Sequence, residues 1–124
     1  MILLTVTGRK SGQPRTTPVG LFELDGRRFL FSTFGEVNWV RNLRAAGRAW
    51  LARGRRQEPV GAVELSPEAA APILQAVFAP YLASPAARLM LRAWYGLTPG
   101  SSRGDLIEAA RRHPVFEVHG FMPA

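Results

Sequence analysis

The dipeptide Asp25-Gly26 is the feature that most constrains the fold of this chain, because it separates two segments that both have the pattern of β-strands. Asp-Gly between apolar runs is typical of a two-residue hairpin turn, in which both turn residues adopt a positive φ. We therefore predict antiparallel strands at residues 15–24 and 27–33. A third predicted strand, residues 2–7, precedes them and connects through a glycine-rich turn. The first third of the chain is thus predicted to be a β-meander.

The hydrophobic period changes from that of a strand to that of a helix at Val37. Trp39, Leu43 and Ala46 recur at helical spacing, and Gly47 stands where a left-handed glycine commonly ends a helix. We therefore predict one helix between the first three strands and the rest of the chain.

The remainder of the chain contains further strand and helix patterns. The predicted strands are residues 49–53, 59–65 and 115–119, and the predicted helices are residues 66–95, broken at Pro80 and Pro85, and residues 105–112. Pro18, within the second strand, favours an edge position or a bulge there. The pattern predicts an α+β, mainly β fold: a barrel of about six mostly antiparallel strands, with one internal helix and a helical insertion before the last strand. Residues 1–124 are expected to form a single domain.

The composition excludes several classes of protein. The 124 residues include no cysteine, which removes disulfides, thiolate metal sites and cysteine nucleophiles. No apolar run is long enough to cross a membrane, and the N-terminus lacks the pattern of a signal peptide. We therefore expect a soluble protein of the cytoplasm.

The chain is strongly basic, since 16 Lys and Arg against 9 Asp and Glu give a formal net charge of +7. Lys10 is the only lysine. Arginine binds phosphate and carboxylate through a planar fork, so a nucleic acid, an anionic membrane surface and a small polyanionic ligand all suit this charge. A GC-rich genome would enrich arginine without any functional reason. The arginines are scattered and no nucleic-acid reader motif is recognisable, so we expect no nucleic-acid partner. Weak association with an anionic membrane stays open, as do a monomer and a homodimer.

Few side chains could perform catalysis alone. His113 and His119 do not have the spacing of metal ligands, and no serine has a histidine nearby in the sequence. We expect no metal site. If the protein is an enzyme, we expect an imported organic cofactor to perform the difficult step while the protein binds and orients it.

Two clusters of residues are candidates for holding such a cofactor. The turn from Gly8 to Gly12 offers backbone N–H groups, two cations and a hydroxyl to an anion, although a solvated hairpin turn would have the same composition. The second cluster runs from Ser32 into the predicted helix, and the start of a helix is a common place for a bound anion. In this helix the spacing of Trp39 fits simple core packing. Asn42, in the middle of the helix, indicates a polar contact with a ligand or a neighbouring strand.

The chain carries TGRKSGQPR at residues 7–15, Pro18, the Asp25-Gly26 hairpin and WVRNLRA at residues 39–45. This combination, in this order and spacing, resembles the deazaflavin-dependent nitroreductase family, whose members are split β-barrel oxidoreductases that use the 8-hydroxy-5-deazaflavin coenzyme F420. The resemblance is strong over residues 3–51 and weaker afterwards. Because this chain begins almost at the first strand, we expect it to lack the N-terminal helical segment that family members often carry.

The resemblance implies a set of cofactor-binding residues. Those holding the anionic tail would be Arg9, Lys10 and Ser11; those beside the cofactor would be Arg15, Thr16, Thr17 and Pro18; those lining it from the third strand would be Ser32, Thr33 and Phe34; and those contacting it from the helix would be Asn38, Trp39 and Asn42. Many family members have a longer, lysine-containing loop where this chain has residues 34–37. Arg41, Arg44 or Arg48 could replace that lysine.

The resemblance also implies the reaction. Reduced F420 would deliver a hydride from its C5 to an electron-poor acceptor such as a quinone, an enone or a nitroaromatic. A proton would come from solvent or from a tyrosine, and the only tyrosines, Tyr81 and Tyr95, lie in the helical insertion that we expect to cover the acceptor pocket. Two alternatives stay open: a split barrel that binds FMN, and a non-catalytic module that binds anions or nucleic acid.

Overall fold

The computed structural model describes residues 2–120 and shows a closed barrel of six antiparallel strands with four α-helices. The strands are β1 (Ile2–Thr7), β2 (Pro14–Leu24), β3 (Arg27–Phe31), β4 (Arg48–Arg53), β5 (Arg56–Glu64) and β6 (Val115–Gly120). The helices are α1 (Asn38–Ala46), α2 (Pro67–Phe78), α3 (Pro85–Tyr95) and α4 (Arg103–Arg112), and a 3-10 helix at Ala79–Ala83 joins α2 to α3. The order around the barrel is β1-β2-β3-β6-β5-β4. This confirms the predicted barrel, its internal helix and the helical insertion before its last strand.

The Asp25-Gly26 turn has the predicted conformation. Asp25 has a φ of 52° and Gly26 a φ of 77°, as a two-residue turn with two left-handed residues requires. Leu24 and Arg27 are cross-strand partners on either side of it. The two residues of the turn therefore set the register of β2 against β3.

Strand β2 is shared between two partners along its length. It pairs with β1 from Pro14 to Val19, and with β3 from Gly20 to Leu24. Pro18 lies in the part that pairs with β1, so its missing N–H does not interrupt the β2–β3 ladder. Because β3 pairs with only the second half of β2, the barrel wall opens beside the first half.

The core consists of two apolar clusters on opposite sides of the barrel wall. Alternation along β3 shows the division, because Leu30 packs inside the barrel while Phe29 and Phe31 pack under the helices. Val40 and Leu43 of α1 are fully buried in the cluster inside the barrel. Helix α1 is therefore anchored in the barrel interior, whereas α2, α3 and α4 form a separate layer on the barrel.

Some elements differ from the prediction at their ends, and hydrogen bonds explain two of the differences. Strand β3 ends at Phe31, because the next residue across the ladder is Pro114, whose carbonyl accepts from the Ser32 N–H but which has no N–H to donate in return. Helix α4 starts earlier than predicted, because Ser102 and Asp105 form a reciprocal capping box. Strand β5 also starts earlier, at Arg56, directly after the basic turn.

His113 is a buried titratable group at the junction of α4 and β6. Its Nδ1 donates a hydrogen bond of 3.0 Å to the Ser32 carbonyl, and its ring lies 4.3 Å from that of Tyr95. Burial lowers the pKa of His113 below its ordinary value of 6.5, although the hydrogen bond with Ser32 opposes the shift. The folded protein therefore favours neutral His113.

We predict that the free energy of unfolding decreases as the pH falls below 6.5, because the unfolded chain then binds a proton that folded His113 resists. Between pH 6.5 and about pH 4.5, we attribute the change in the free energy of unfolding to His113. At about pH 4.5, Glu36, Glu58 and Glu117, whose pKa values arginines lower, begin to contribute as well. Urea unfolding across this range would measure it. His113→Gln should flatten the profile, whereas His119→Gln, on the exposed end of β6, should not. An unchanged profile in His113→Gln would contradict the assignment.

Candidate functional site

A cavity of about 890 Å³ lies in the opening beside the first half of β2. Its wall combines the β1–β2 turn, the start of β2, the β3–α1 loop and the first turns of α1. The lining residues are Gly8, Arg9, Lys10, Ser11, Arg15, Thr17, Pro18, Phe34, Val37, Asn38, Trp39 and Asn42. The volume is within the range of small-molecule and cofactor sites.

The β1–β2 turn is a compact loop closed by its own hydrogen bonds. The Gly8 N–H donates to the Gln13 carbonyl at 2.8 Å, and the Gly12 N–H donates to the Gly8 carbonyl at 2.9 Å. The Ser11 hydroxyl oxygen accepts from the Gln13 N–H, so its own proton is free to donate to a ligand. A Cβ at Gly8 would lie 2.7 Å from that oxygen, so a larger residue at this position would displace the Ser11 side chain.

Asn42 fastens this turn to α1. Its Oδ1 accepts from the backbone N–H of Arg9 at 3.1 Å and from the Arg9 guanidinium at 2.8 Å, and the Asn42 side chain is buried. Because Val40 and Leu43 fix α1 in the barrel core, Asn42 fixes the position of Arg9 in turn. This contact accounts for an asparagine in the middle of a helix.

Most of the predicted cofactor-binding residues meet at this cavity. Those that line it are Arg9, Lys10, Ser11, Arg15, Thr17, Pro18, Phe34, Asn38, Trp39 and Asn42. Gly8 belongs to the turn that the sequence singled out. Val37 was missed, and no sequence signal identifies it, because it caps α1 by its extended backbone without a side-chain hydrogen bond.

The structure places three of the predicted cofactor-binding residues away from the lining. The Thr16 hydroxyl hydrogen-bonds that of Thr5 at 2.7 Å, because alternation along β2 turns it away from Arg15 and Thr17. Ser32 is buried and its hydroxyl donates to a carbonyl within the same loop. The Thr33 hydroxyl pairs with that of Tyr95 at 3.0 Å.

Neither tyrosine lines the cavity. Tyr95 is buried against Phe78 and His113, and burial raises its pKa, so it retains its proton. Tyr81 is exposed and contacts Phe78. Trp94 of α3 contacts a lining residue, because its ring lies 6.0 Å from that of Phe34.

Arg44 holds the β3–α1 loop from outside. Its guanidinium donates two hydrogen bonds to Glu36 and two to Glu64, at 2.7–3.1 Å. These bonds lower the pKa of Glu36 and raise that of Arg44. A network of two-pronged pairs is the form of surface ion pair that contributes measurably to stability. Arg44 is therefore engaged with two carboxylates of the protein, and the replacement of the loop lysine by Arg41, Arg44 or Arg48 stays a prediction.

Within residues 2–120, no three His, Asp or Glu side chains are grouped so that they could hold a metal ion. The same part of the chain contains no helix with the length and hydropathy needed to cross a bilayer.

The barrel with its opened wall is a split barrel of the type found in flavin-binding proteins. A sequence profile of the F420H(2)-dependent quinone reductase family matches residues 1–87. The chain belongs to this family and is an F420-dependent oxidoreductase, as the motifs in its first strands and α1 indicated. No curated protein shows significant sequence similarity to it.

Solved structures show the same fold at low sequence identity. An F420-H2 dependent reductase (FDR-A) is 22% identical with a TM-score of 0.53, covering 95% of this chain and 92% of that one. A protein described as a domain-swapped dimer is 21% identical with a TM-score of 0.53, covering 95% and 78%. A FAD-binding protein from Mesorhizobium loti is 17% identical with a TM-score of 0.55, covering 98% and 80%.

We predict that Arg9→Ala and Lys10→Ala each weaken F420 binding about tenfold or more, since a hydrogen bond to a charged group contributes about 1.5–3 kcal/mol. Asn42→Leu should weaken binding similarly, and the loss in the double variant Arg9→Ala/Asn42→Leu should be smaller than the sum of the two single losses, because one of the two Asn42 contacts is with the Arg9 guanidinium. Fluorescence titration would measure this.

Arg55→Ala, on the exposed β4–β5 turn, is the matched control for a lost positive charge. Normal affinity in both Arg9→Ala and Lys10→Ala would mean that the β1–β2 turn is only a solvated hairpin.

Proposed function

We propose that the protein transfers a hydride between reduced coenzyme F420 and an electron-poor organic acceptor, with a quinone as the first candidate and enones and nitroaromatics as others. The observation that supports this most is the cavity: a basic turn and an apolar wall meet in one opening of the barrel of a chain from the F420H(2)-dependent quinone reductase family.

The basic part of the lining fits an anionic cofactor. The lining residues include the three cations Arg9, Lys10 and Arg15 and no carboxylate. The Ser11 hydroxyl adds a hydrogen-bond donor to this part of the lining. We propose that these residues hold the phosphate and polyglutamate tail of F420.

The apolar part of the lining fits a planar ring. Pro18, Phe34, Val37 and Trp39 give it an apolar lining, and Trp39 is itself supported by Phe116 of the barrel core at 6.0 Å. When bound, the reduced deazaflavin supplies a hydride from its C5. The work left to these side chains is to exclude water and to hold the ring so that the acceptor carbon or oxygen lies about 3–3.5 Å away.

We propose that solvent at the open mouth of the cavity supplies the proton. Tyr95 has a raised pKa and its hydroxyl is engaged with Thr33, and Tyr81 lies outside the lining. We propose that Tyr95 serves instead to fasten α3 to the loop after β3. The acceptor would then meet Phe34 and Trp94, which form the apolar mouth of the cavity.

An oxidoreductase that binds FMN in place of F420 is the second candidate. It is supported by the FAD-binding protein from Mesorhizobium loti, because that protein binds a flavin and has the same fold. The expected cytoplasmic location, the absence of a nucleic-acid partner and the choice between monomer and homodimer stay predictions from the sequence.

Titration of the protein with oxidised F420 and, separately, with FMN distinguishes the two candidates. We expect quenching of deazaflavin fluorescence at lower protein concentration than quenching of FMN fluorescence, because the three cations suit the longer anionic tail. A turnover screen with reduced F420 over quinones, enones and nitroaromatics then identifies the acceptor. Equal or tighter FMN binding would overturn the cofactor assignment.

We predict that Trp94→Leu raises the KM for an aromatic acceptor by about 3- to 10-fold, since an aromatic contact contributes about 0.5–1.5 kcal/mol beyond buried area. The Kd for F420 should stay unchanged, because Trp94 does not line the cavity. Steady-state kinetics at saturating F420 measures this.

Trp50→Leu is the matched control, since Trp50 is exposed to the same degree on β4. If both variants keep the wild-type KM, the acceptor does not contact Trp94.

A further inference from the structure

A second cavity, of about 390 Å³, lies at the end of the barrel away from the β1–β2 turn. Its lining comes from the start of β1, the β2–β3 hairpin and the β4–β5 hairpin. We call it the barrel-end pocket. The whole of β1 separates it from the β1–β2 turn, and a strand of this length spans roughly 17–20 Å. The barrel-end pocket is therefore separate from the cavity that holds the candidate cofactor-binding residues.

The apolar part of the barrel-end pocket is continuous with the barrel core. Ile2, Leu21 and Leu51 line the pocket and also belong to the apolar cluster inside the barrel. The volume lies at the lower end of the range for small-molecule sites. The pocket therefore offers a small organic ligand an apolar contact on one side.

Charged side chains occupy the inward positions of the strands at this end of the barrel. Successive side chains of a strand point to opposite faces, so residues two or four apart point the same way. On β4, Arg53 shares the face of buried Leu51, and on β5, Arg56 shares the face of buried Val60. The charged residues that line the pocket are Glu23, Arg28, Arg53, Arg56 and Glu58.

Both carboxylates of the barrel-end pocket act on Arg28. Glu58 accepts two hydrogen bonds from the Arg28 guanidinium, at 2.8 and 2.9 Å. Glu23 is the cross-strand partner of Arg28. The hydrogen bonds with Glu58 and the charges of Glu58 and Glu23 raise the pKa of Arg28, although burial opposes the shift. The negative charge of the pocket is therefore concentrated around one of its three arginines.

The other two arginines face each other without a carboxylate between them. Arg53 and Arg56 are direct cross-strand partners on β4 and β5, and like charges in that position destabilise a sheet. Within residues 2–120, neither of them forms an ion pair. Both are exposed, so a ligand from solution can reach them. Two adjacent guanidinium forks suit one oxyanion, which would offset their repulsion.

We propose that the barrel-end pocket binds a phosphate monoester that carries a small apolar group. The phosphate would accept hydrogen bonds from Arg53 and Arg56, and the apolar group would contact the side chains continuous with the barrel core. A doubly charged phosphate fits better than a carboxylate, because it matches both cations. The proposal goes beyond the proposed function and does not depend on it, since the barrel-end pocket lies at the other end of β1 from the candidate F420 site.

The test is titration of the whole protein with phenyl phosphate at about pH 7.5, where a phosphate monoester is doubly charged. ¹H–¹⁵N NMR spectra follow the amides of residues 53–58 and those of residues 8–12 separately, so the two ends of the barrel are distinguished. We expect saturable shifts at residues 53–58, with or without F420 present. Benzoate, which keeps the ring but has a single charge, should bind about tenfold more weakly. Inorganic phosphate, which lacks the ring, should also bind more weakly.

Arg53→Gln and Arg56→Gln should each weaken the binding of phenyl phosphate at residues 53–58 by about tenfold or more. Each substitution removes one of two opposed like charges, so the melting temperature without ligand should not fall. Arg55→Gln is the matched control, because it removes a charge from the same turn and Arg55 does not line the pocket. It should bind phenyl phosphate like the wild type.

Four results would each overturn the proposal. They are the absence of saturable shifts at residues 53–58, shifts confined to residues 8–12, an equal loss of binding in Arg55→Gln, and benzoate binding as tight as that of phenyl phosphate. Failure of the protein to bind F420 would remove the proposed function and leave the barrel-end pocket standing, because its ligand is titrated without F420 as well.

Discussion

The division of β2 between two partners is the constraint on which the site depends. A strand that paired with β1 and β3 along its whole length would close the barrel wall. Here the β3 ladder begins only at Gly20, so residues 14–19 form one side of an opening. Helix α1 forms the opposite side, and its buried residues hold it in the barrel interior. The cavity is therefore a consequence of strand register.

The walls of this opening are held by polar contacts between distant elements. Asn42 fixes the β1–β2 turn to α1, Arg44 fixes the β3–α1 loop to α1 and β5, and Tyr95 with His113 fixes the other side of that loop to α3 and α4. A preorganised wall lowers the cost of orienting a flexible, charged cofactor. These contacts explain why the lining side chains hold fixed positions although few of them could perform catalysis.

Local patterns predicted the elements well and their ends less well. The Asp25-Gly26 turn and the helical spacing of Trp39 and Leu43 identified β2, β3 and α1, because turn chemistry and periodicity act over a few residues. The end of β3 was predicted too late, since the residue opposite Ser32 is Pro114, far away in the sequence, and Pro114 has no N–H to extend the ladder.

The sequence by itself determined the chemistry of the site: a glycine turn carrying Arg9 and Lys10, a helix carrying Asn42, and an overall basic charge. Only the tertiary structure decided which neighbours those residues have. It directed Asn42 to Arg9, engaged Arg44 with two carboxylates, buried Tyr95 and brought Trp94 to Phe34. The physical reason is that backbone propensity is local, whereas burial and side-chain pairing depend on which strands close the barrel and on the path of the helices across it.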